Sequence, residues 1–316
     1  MGLIDIFSDL KGPVFIKDDS DAERQLEYLK TLPPTPEVDR EIKLVEAGII
    51  GEKNIRFELE NGHIPCYVLH DLYLEYDGLS AQIDYLIICR KCNYVVECKN
   101  LYGNIEIDSQ GNFSRTVQYG KHYKKEGLYS PITQNERHIR LIKQRIRDKS
   151  IIHKLMFNEG EDEIWKSIVV LANPKTVLNN RYAKKEIKEK VIRADQLVNF
   201  IKKTEAESKN ATMTDSQMKD SAEKWLSRCK INPVDYTAKF ADLMNTDSHQ
   251  ETSDQSALTA SISSAGNPNS APICQRCGVP MVKRVARKGK NAGSEFWGCP
   301  NFPSCRNIVP IKDIIH

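Results

Sequence analysis

Two carboxylates and a lysine interrupt two neighbouring apolar runs of the sequence. Asp84 lies within residues 81–88, and Glu97 and Lys99 lie within residues 94–100. Both runs are rich in Val, Ile and Tyr, which predicts β-strands, and an unpaired charge in a buried strand is costly. Because residues i and i+2 of a strand point to the same face, Glu97 and Lys99 project together, and Asp84 can meet them from the adjacent strand.

These three side chains could form a divalent-metal site with a positioned water. Mg²⁺ prefers oxygen ligands and is usually held by one or two carboxylates plus substrate phosphate, so Asp84 and Glu97 are the candidate ligands. Lys99 would orient the attacking water or stabilise the developing negative charge. This is the chemistry of phosphodiester hydrolysis. The alternative is a structural Glu–Lys pair on an exposed sheet face, which so short a pattern leaves open.

Two residues outside the strands extend this candidate site. Glu52, on a predicted helix ahead of the strands, could add a metal contact. Gln134, one turn into a later helix, could hydrogen-bond the nucleophile or a phosphate oxygen. His70 and His138 lie nearby in the sequence, but a lone histidine is more often a structural or surface group than a catalyst.

The elements that must position these residues alternate between helices and strands. A capping box that starts at Ser20 opens a short helix, and Thr35 caps a second helix that could break near Gly48 or Gly51. Strands are predicted at residues 65–75, 81–89 and 93–99, more weakly at 103–108 and 112–118, and again at 166–172 and around Val191. Further helices are predicted from Pro131, Asp195 and Thr214. This order predicts an α/β fold with a mixed central sheet flanked by helices.

Four of the nine cysteines stand in two pairs near the end of the sequence. They are Cys274, Cys277, Cys299 and Cys305. Two cysteine pairs on a short segment that contains Gly and Pro predict a structural Zn²⁺ site. The segment is too small to fold on a hydrophobic core alone, so the metal would supply the folding energy. Four free cysteines, or disulfides in an exported protein, are the alternatives.

The same segment is basic and carries aromatic residues. Residues 271–316 contain eight Lys or Arg against two Asp or Glu, although the net charge of the whole chain is only +3. The candidate phosphate contacts are Lys283, Arg284, Arg287, Lys288 and Lys290, and the candidate stacking residues are Phe296, Trp297 and Phe302. The alternative is that the aromatic residues, Trp297 above all, pack the small core around zinc.

Composition limits the remaining classes of function. The chain has 316 residues, of which 40% are hydrophobic and 28% are charged, as in ordinary soluble proteins. It has no apolar run of 18 residues, so neither a membrane-spanning helix nor a membrane partner is expected. The odd number of mostly scattered cysteines favours a reducing cytoplasm over a disulfide framework. The absence of a G-x-x-x-x-G-K-[ST] motif argues against an ATP-driven motor.

Several motifs occur in the order found in a known domain family. They are Gly51-Glu52, His70-Asp71-Leu72, Gln82-Ile83-Asp84, Val96-Glu97-Cys98-Lys99-Asn100, Gly103, and Gln134 ahead of Arg137-His138. Over about residues 35–150 this series resembles the NERD domain, the nuclease-related domain of the restriction-endonuclease-like, PD-(D/E)xK superfamily. The resemblance implies that Glu52, Asp84, Glu97 and Lys99 take the superfamily's catalytic positions and that Gln134 takes its helix position.

The cysteine segment resembles a second family. Residues 273–308, which include Cys274-Gln-Arg-Cys277 and Phe296-Trp297-Gly298-Cys299, are similar to the C4 zinc ribbon repeated at the C-terminus of bacterial type I topoisomerases. That resemblance implies binding of single-stranded DNA.

Composition and motifs together divide the chain into four parts. These are an N-terminal helical arm at 1–34, the nuclease-like domain with a C-terminal helical extension at 35–230, a flexible linker at 231–271, and the zinc ribbon at 272–316. The linker is assigned because residues 242–271 are rich in Ser, Thr, Asn, Asp and Gln and show no hydrophobic periodicity.

The function predicted from these features is metal-dependent hydrolysis of DNA, with Mg²⁺ or Mn²⁺, in DNA processing, repair or defence. The ribbon would raise the effective concentration of DNA near the active site. A homodimer is one option, because many enzymes of the superfamily cut two strands as dimers. Three alternatives stay open: a non-catalytic DNA-binding or adaptor protein that retains the nuclease fold, a topoisomerase accessory fragment, and a ribbon that docks a protein instead of DNA.

Overall fold

The chain forms two compact units, Met1–Gln250 and Glu251–His316. The computed structural model describes residues 10–147, 164–240, 281–285, 295–299 and 308–310.

The first unit is built on a mixed six-stranded sheet. In spatial order its strands are β1 (Pro13–Lys17), β2 (Cys66–Tyr76), β3 (Leu79–Ile88), β4 (Asn93–Lys99), β8 (Trp165–Leu171) and β10 (Val191–Arg193). The strands β2, β3 and β4 form an antiparallel meander, whereas β1 runs parallel to β2, β8 to β4, and β10 to β8. The α/β fold class with a mixed central sheet is therefore confirmed.

The described residues of this unit also form helices and a second sheet. The helices are α1 (Asp21–Thr31), α2 (Pro36–Gly62), α3 (Pro131–Arg147), α4 (Lys185–Lys188), α5 (Leu197–Glu207) and α6 (Asp215–Leu226). The second sheet has the order β7 (His122–Leu128), β6 (Phe113–Tyr119), β5 (Asn104–Ile107) and β9 (Leu178–Asn179). Side chains of Ser20, Thr35 and Thr214 cap α1, α2 and α6, as their places in the sequence predict. Among the described helices, none has both the length and the apolarity needed to cross a membrane.

Helices cover both faces of the central sheet. On one face, α2 and α5 bury side chains that include Ile55 and Leu197. On the other face, α3 and α6 bury side chains that include Ile142 and Trp225. The central strands β3 and β4 are therefore buried on both sides, which explains why their sequences are almost continuously apolar.

Three elements differ from the sequence-based prediction. The segment 13–17 belongs to the predicted N-terminal helical arm, yet it forms β1, which pairs in parallel with β2. The helix α2 runs through Gly48 and Gly51 without a break. Gly51 serves close packing instead, since a Cβ atom there would lie 2.6 Å from the Cβ atom of Asn100 beside β4. The mostly exposed, polar β7 forms as the hairpin partner of β6.

The predicted linker begins too early in the sequence. Phe240 is buried with Leu29 and Val38 of the first two helices, so residues 231–240 pack on the first unit instead of leaving it. A single aromatic residue at the end of a polar stretch supplies this contact. Residues 241–271 lie outside the described residues.

The described residues of the second unit form a three-stranded antiparallel sheet. Its strands lie in the order β11 (Val282–Val285), β12 (Glu295–Gly298) and β13 (Ile308–Pro310). Met281 and Cys299 are buried together, with Trp297 and Val309 packed against them. The remaining predicted ribbon residues, Cys274, Cys277, Cys305, Arg287, Lys288, Lys290 and Phe302, lie outside the described residues.

Candidate functional site

The pairing of β3 with β4 brings Asp84 beside Glu97. Tyr85 lies opposite Val96 in the last pair of this antiparallel ladder, and Asp84 and Glu97 flank that pair. The Oδ2 atom of Asp84 accepts a hydrogen bond from the backbone N–H of Cys98 at 2.6 Å. This bond fixes the Asp84 carboxylate against β4.

Lys99 and Glu97 form a close ion pair on one face of β4. The Nζ atom of Lys99 donates to Oε1 of Glu97 at 2.5 Å. The Glu97 side chain is 1% exposed and the Lys99 side chain 29% exposed. The ammonium group therefore lies between a buried carboxylate and solvent.

Burial perturbs all three of these charges. Burial raises the pKa of Asp84 well above its ordinary value, and Glu97 raises it further, while Lys99 opposes both effects. Burial also raises the pKa of Glu97 against the opposing effect of Lys99. Burial lowers the pKa of Lys99, but the two carboxylates outweigh that effect, so its pKa is raised and it stays charged. Two carboxylates thus share one ammonium, and a divalent cation would relieve their mutual repulsion.

These donors fit a hard divalent cation. The Oε2 atom of Glu97 is buried and has no hydrogen-bond partner among the described residues. Such an orphaned acceptor is costly, and a bond to a metal would satisfy it. Within the described ranges, no three His, Cys, Asp or Glu side chains gather closely enough to enclose a metal by themselves. Asp84 and Glu97 would therefore hold the ion with water and substrate oxygens, as is usual for Mg²⁺ and Mn²⁺.

Glu52 lies on α2 and interacts electrostatically with Asp84. It contributes to the raised pKa of Asp84, after burial and Glu97. The Oε2 atom of Glu52 lies 2.9 Å from Nε2 of His70, and its backbone carbonyl accepts a hydrogen bond from the Tyr85 hydroxyl at 2.9 Å. These contacts hold Glu52 in place, so His70 has a positioning role that its isolated place in the sequence did not indicate.

The helix α3 is anchored to the sheet by a buried asparagine that the sequence analysis did not single out. Asn135 is fully buried, and its Nδ2 atom donates to the carbonyl oxygens of Val95 at 2.7 Å and Ile168 at 3.1 Å. These two bonds join α3 to β4 and β8. Asn135 therefore helps to fix the register of α3 against the Glu97 strand.

A histidine on α3 lies against the buried carboxylate. The Nδ1 atom of His138 is 3.6 Å from Oε2 of Glu97. Burial, together with Lys99 and Arg137, lowers the pKa of His138 to about 4, so its ring is neutral at neutral pH. Gln134 lies one turn earlier on the same side of the helix, half-buried. The i, i+4 spacing puts Gln134 on the His138 side of α3, and its place in the site stays a prediction.

Replacing Asn135 by Ala is expected to lower the free energy of unfolding by about 2–3 kcal/mol, because two buried carbonyls lose their donor and a cavity is left. Urea unfolding of the metal-free protein measures the change. The matched control is Gln144→Ala on the same helix, whose side chain makes only an exposed 3.4 Å contact with Asp77. A loss no larger than that of the control would contradict the anchoring role.

The two faces of the ribbon sheet differ in character. Arg284 lies opposite Phe296, next to Gly298. A Cβ atom on Gly298 would lie 3.0 Å from Cδ of Arg284 and 3.3 Å from Cε2 of Phe296, so this glycine leaves both side chains room to lie across β12. A cation and an aromatic ring thus share one face of the sheet.

The opposite face of the ribbon sheet is committed to its own core. Trp297 packs against the buried Met281 and Cys299. Lys283, opposite Trp297, forms an ion pair with Glu295 at 2.6 Å. Among the described residues predicted to contact DNA, Arg284 and Phe296 therefore offer the more suitable surface.

The central strands of the mixed sheet carry two acids and a lysine. In a comparison with protein families, residues 47–172 match the nuclease-related domain, NERD, and residues 272–314 match the topoisomerase DNA binding C4 zinc finger. The chain therefore carries a nuclease-related domain and a topoisomerase-type C4 zinc ribbon, and both predicted resemblances are confirmed. Searches of curated proteins and of solved structures gave no match.

Proposed function

We propose that the first domain hydrolyses DNA phosphodiester bonds with a divalent metal and that the ribbon binds single-stranded DNA. The observation that carries the catalytic part is the orphaned, buried Oε2 atom of Glu97 beside Asp84 and Lys99. All five residues proposed for the active site, Glu52, Asp84, Glu97, Lys99 and Gln134, fall within the segment that matches the nuclease-related domain.

Each residue has a distinct part in the proposed reaction. Asp84 and Glu97 would hold Mg²⁺ or Mn²⁺, which when bound lowers the pKa of a water ligand and neutralises phosphate charge. Lys99 orients the attacking water or stabilises negative charge that develops on the phosphate. Gln134 hydrogen-bonds the nucleophile or a phosphate oxygen. Glu52 extends the acidic side of the site from α2.

The ribbon would serve as a DNA tether for the catalytic domain. The C4 zinc finger match indicates DNA binding and a structural Zn²⁺ ion. The surface formed by Arg284 and Phe296 suits an unpaired strand, because an aromatic ring stacks on any exposed base and a cation contacts its phosphates. Tethering would raise the local concentration of DNA at the nuclease domain.

A cleavage assay tests the catalytic proposal. Linear duplex, closed circular and single-stranded DNA are incubated with the full-length protein and Mg²⁺ or Mn²⁺, with a chelator as control. Metal-dependent cutting that is lost in Asp84→Ala and Lys99→Ala supports the proposal, and the circular substrate separates endonuclease from exonuclease action. A folded protein that binds DNA but cuts none of these substrates would instead be a DNA-binding adaptor that retains the nuclease fold.

Replacing Phe296 by Ala is expected to weaken binding of a single-stranded oligonucleotide by about 1–3 kcal/mol, since one base loses its stacking partner. Fluorescence anisotropy with a labelled oligonucleotide measures the affinity at fixed salt. The matched control is Ile308→Ala, because Ile308 is 65% exposed and apolar but has no aromatic face. Equal affinity losses in the two variants would show that stacking is not the source of binding.

A cytoplasmic location and a homodimer stay predictions. The first is supported by the scattered, odd number of cysteines, and the second by the resemblance to enzymes that cut two strands. Size-exclusion chromatography with light scattering, with and without DNA, tests the dimer.

A further inference from the structure

The sheet of the first unit has an open edge beside β8. The outer strand β10 pairs only with Val169–Leu171, at the end of β8. In the described residues, no strand lies on that side of residues 165–168. In the described residues, the first half of β8 therefore has an edge whose backbone N–H and C=O groups have no strand partner.

The backbone of Ser167 points to this open edge. The N–H of Val169 donates to the carbonyl oxygen of Lys190 at 2.8 Å, so residues of the same parity in β8 direct their backbone groups toward β10. Ser167 shares that parity but lies before the first paired residue. Its hydroxyl oxygen is also buried without a hydrogen-bond partner among the described residues. Ser167 thus offers an unused donor and acceptor at one position.

A groove of about 1090 Å³ runs along this edge, between α3 on one face of the sheet and α5 on the other. Ile139, Trp165, Ile192 and Phe200 supply its apolar lining. The volume exceeds that of most small-ligand pockets, which hold roughly 300–1,000 Å³. Its length and apolar lining suit a short extended chain whose alternate side chains point into it.

The groove is positively charged. Six Lys or Arg side chains line it against three Glu side chains. Arg140, Lys166 and Lys203 are among the cations, and they come from α3, β8 and α5 respectively. Lys190 pairs with Glu136 at 2.7 Å and Lys203 with Glu207 at 3.9 Å, but the cations remain in excess over the glutamates.

We infer that this groove binds an extended acidic segment of a partner protein, which adds to β8 as a strand beyond the end of β10. Main-chain hydrogen bonds to Ser167 would give affinity, the apolar lining would accept alternate side chains, and the cations would select carboxylates. Nucleic acid fits less well. A DNA backbone has no donor for the Ser167 carbonyl and no side chains for the apolar lining.

The groove lies away from the proposed active site. Ser167 pairs with Val95, whereas Leu171 pairs with Lys99, so the strand contact in the groove lies nearer the start of the β4–β8 ladder and Lys99 lies at its end. Four residues of strand, about 13 Å, separate Ser167 from the level of Lys99. A partner bound here could therefore deliver the protein to its place of action without covering Lys99.

The probe is a fluorescently labelled, capped peptide in which Glu alternates with Val. The full-length protein is titrated into it, and fluorescence anisotropy measures binding. The matched peptide carries Lys in place of Glu. The variants are Arg140→Glu combined with Lys166→Glu, and Ser167→Pro, which removes the edge-facing N–H and the hydroxyl but no N–H that points toward β4. The control variant is Lys219→Glu on α6, an exposed residue outside the groove. Thermal unfolding confirms that each variant is folded.

The Glu–Val peptide is expected to bind and to slow hydrogen exchange of the Ser167 amide. The charge-reversal pair and Ser167→Pro should each lower its affinity at least about tenfold, or ~1.4 kcal/mol, and Lys219→Glu should not. Equal binding of the Lys–Val peptide, no binding of either peptide, or unchanged affinity in folded groove variants would overturn the inference. So would displacement of the peptide by duplex DNA that itself loses affinity in those variants.

Discussion

Replacing Asp84 by Asn is expected to abolish metal-dependent cleavage and to stabilise the metal-free domain. Asn keeps an oxygen that can accept the Cys98 N–H bond but removes a buried charge that Glu97 repels. Loss of a metal ligand removes several kcal/mol of transition-state stabilisation, which is roughly 10³-fold or more in rate. Relief of the buried repulsion should raise the free energy of unfolding by roughly 1–2 kcal/mol.

The stabilisation by Asp84→Asn should depend on pH. The folded-state pKa of Asp84 is raised, so the ionised carboxylate destabilises the fold above that pKa, and protonation removes the cost as pH falls toward its ordinary value of 3.8. The increase in the free energy of unfolding caused by Asp84→Asn is therefore largest near neutral pH and disappears at acidic pH. Urea unfolding in a chelator across this pH range, together with initial cleavage rates in Mg²⁺, measures both effects.

The matched control for this prediction is Asp108→Asn. This substitution makes the same chemical change in an exposed turn. Hydrogen bonds from Asn112 lower the pKa of Asp108 there. Its ionised form is stabilised by the fold, so the substitution should lower stability slightly near neutral pH and leave cleavage intact. If Asp84→Asn behaves like this control in either measurement, Asp84 is not the strained metal ligand proposed here.

Replacing Cys299 by Ser is expected to release zinc and unfold the ribbon while leaving the nuclease-related domain folded. Cys299 is 2% exposed, and the described core around it consists of Met281, Trp297 and Val309. So small a core cannot balance the conformational entropy of the segment, whereas a structural Zn²⁺ contributes about 10–16 kcal/mol. The variant should therefore lose its affinity for single-stranded DNA almost completely.

Three measurements check the prediction for Cys299. Zinc content is expected to fall from one equivalent to none, oligonucleotide binding to vanish, and the main thermal transition to stay in place. Cys229→Ser is the matched control, because Cys229 lies in the first unit beyond the end of α6. Retention of zinc and DNA binding by Cys299→Ser would show that the ribbon does not depend on a four-cysteine site.

The strands that carry the chemistry could be predicted from the sequence because they break a rule of composition. Charges at Asp84, Glu97 and Lys99 within apolar runs predict the strands and mark the residues proposed for the site. The predicted strand 93–99 coincides with β4. The capping residues of three helices could also be predicted, since a cap depends only on neighbouring residues.

The contacts that complete the site could not be read in the same way. Asn135 and His138 reach β4 because α3 packs on that strand. The neighbouring sequence of either residue does not predict this contact. The same holds for His70, whose partner Glu52 comes from a different element. Only the pairing of Lys283 with Trp297 across the ribbon sheet shows which face packs inward and leaves Phe296 on the other.

The order of the strands also has a consequence for the timing of folding during synthesis. Glu97 pairs in the sheet with Val169, so β4 obtains its second neighbour only after a long stretch of intervening chain has been made. At usual translation rates, Leu171 follows Glu97 by about 4–15 s. Until then β4 lacks its neighbour on one side, so the site proposed for cleavage is completed only after β8 has been made.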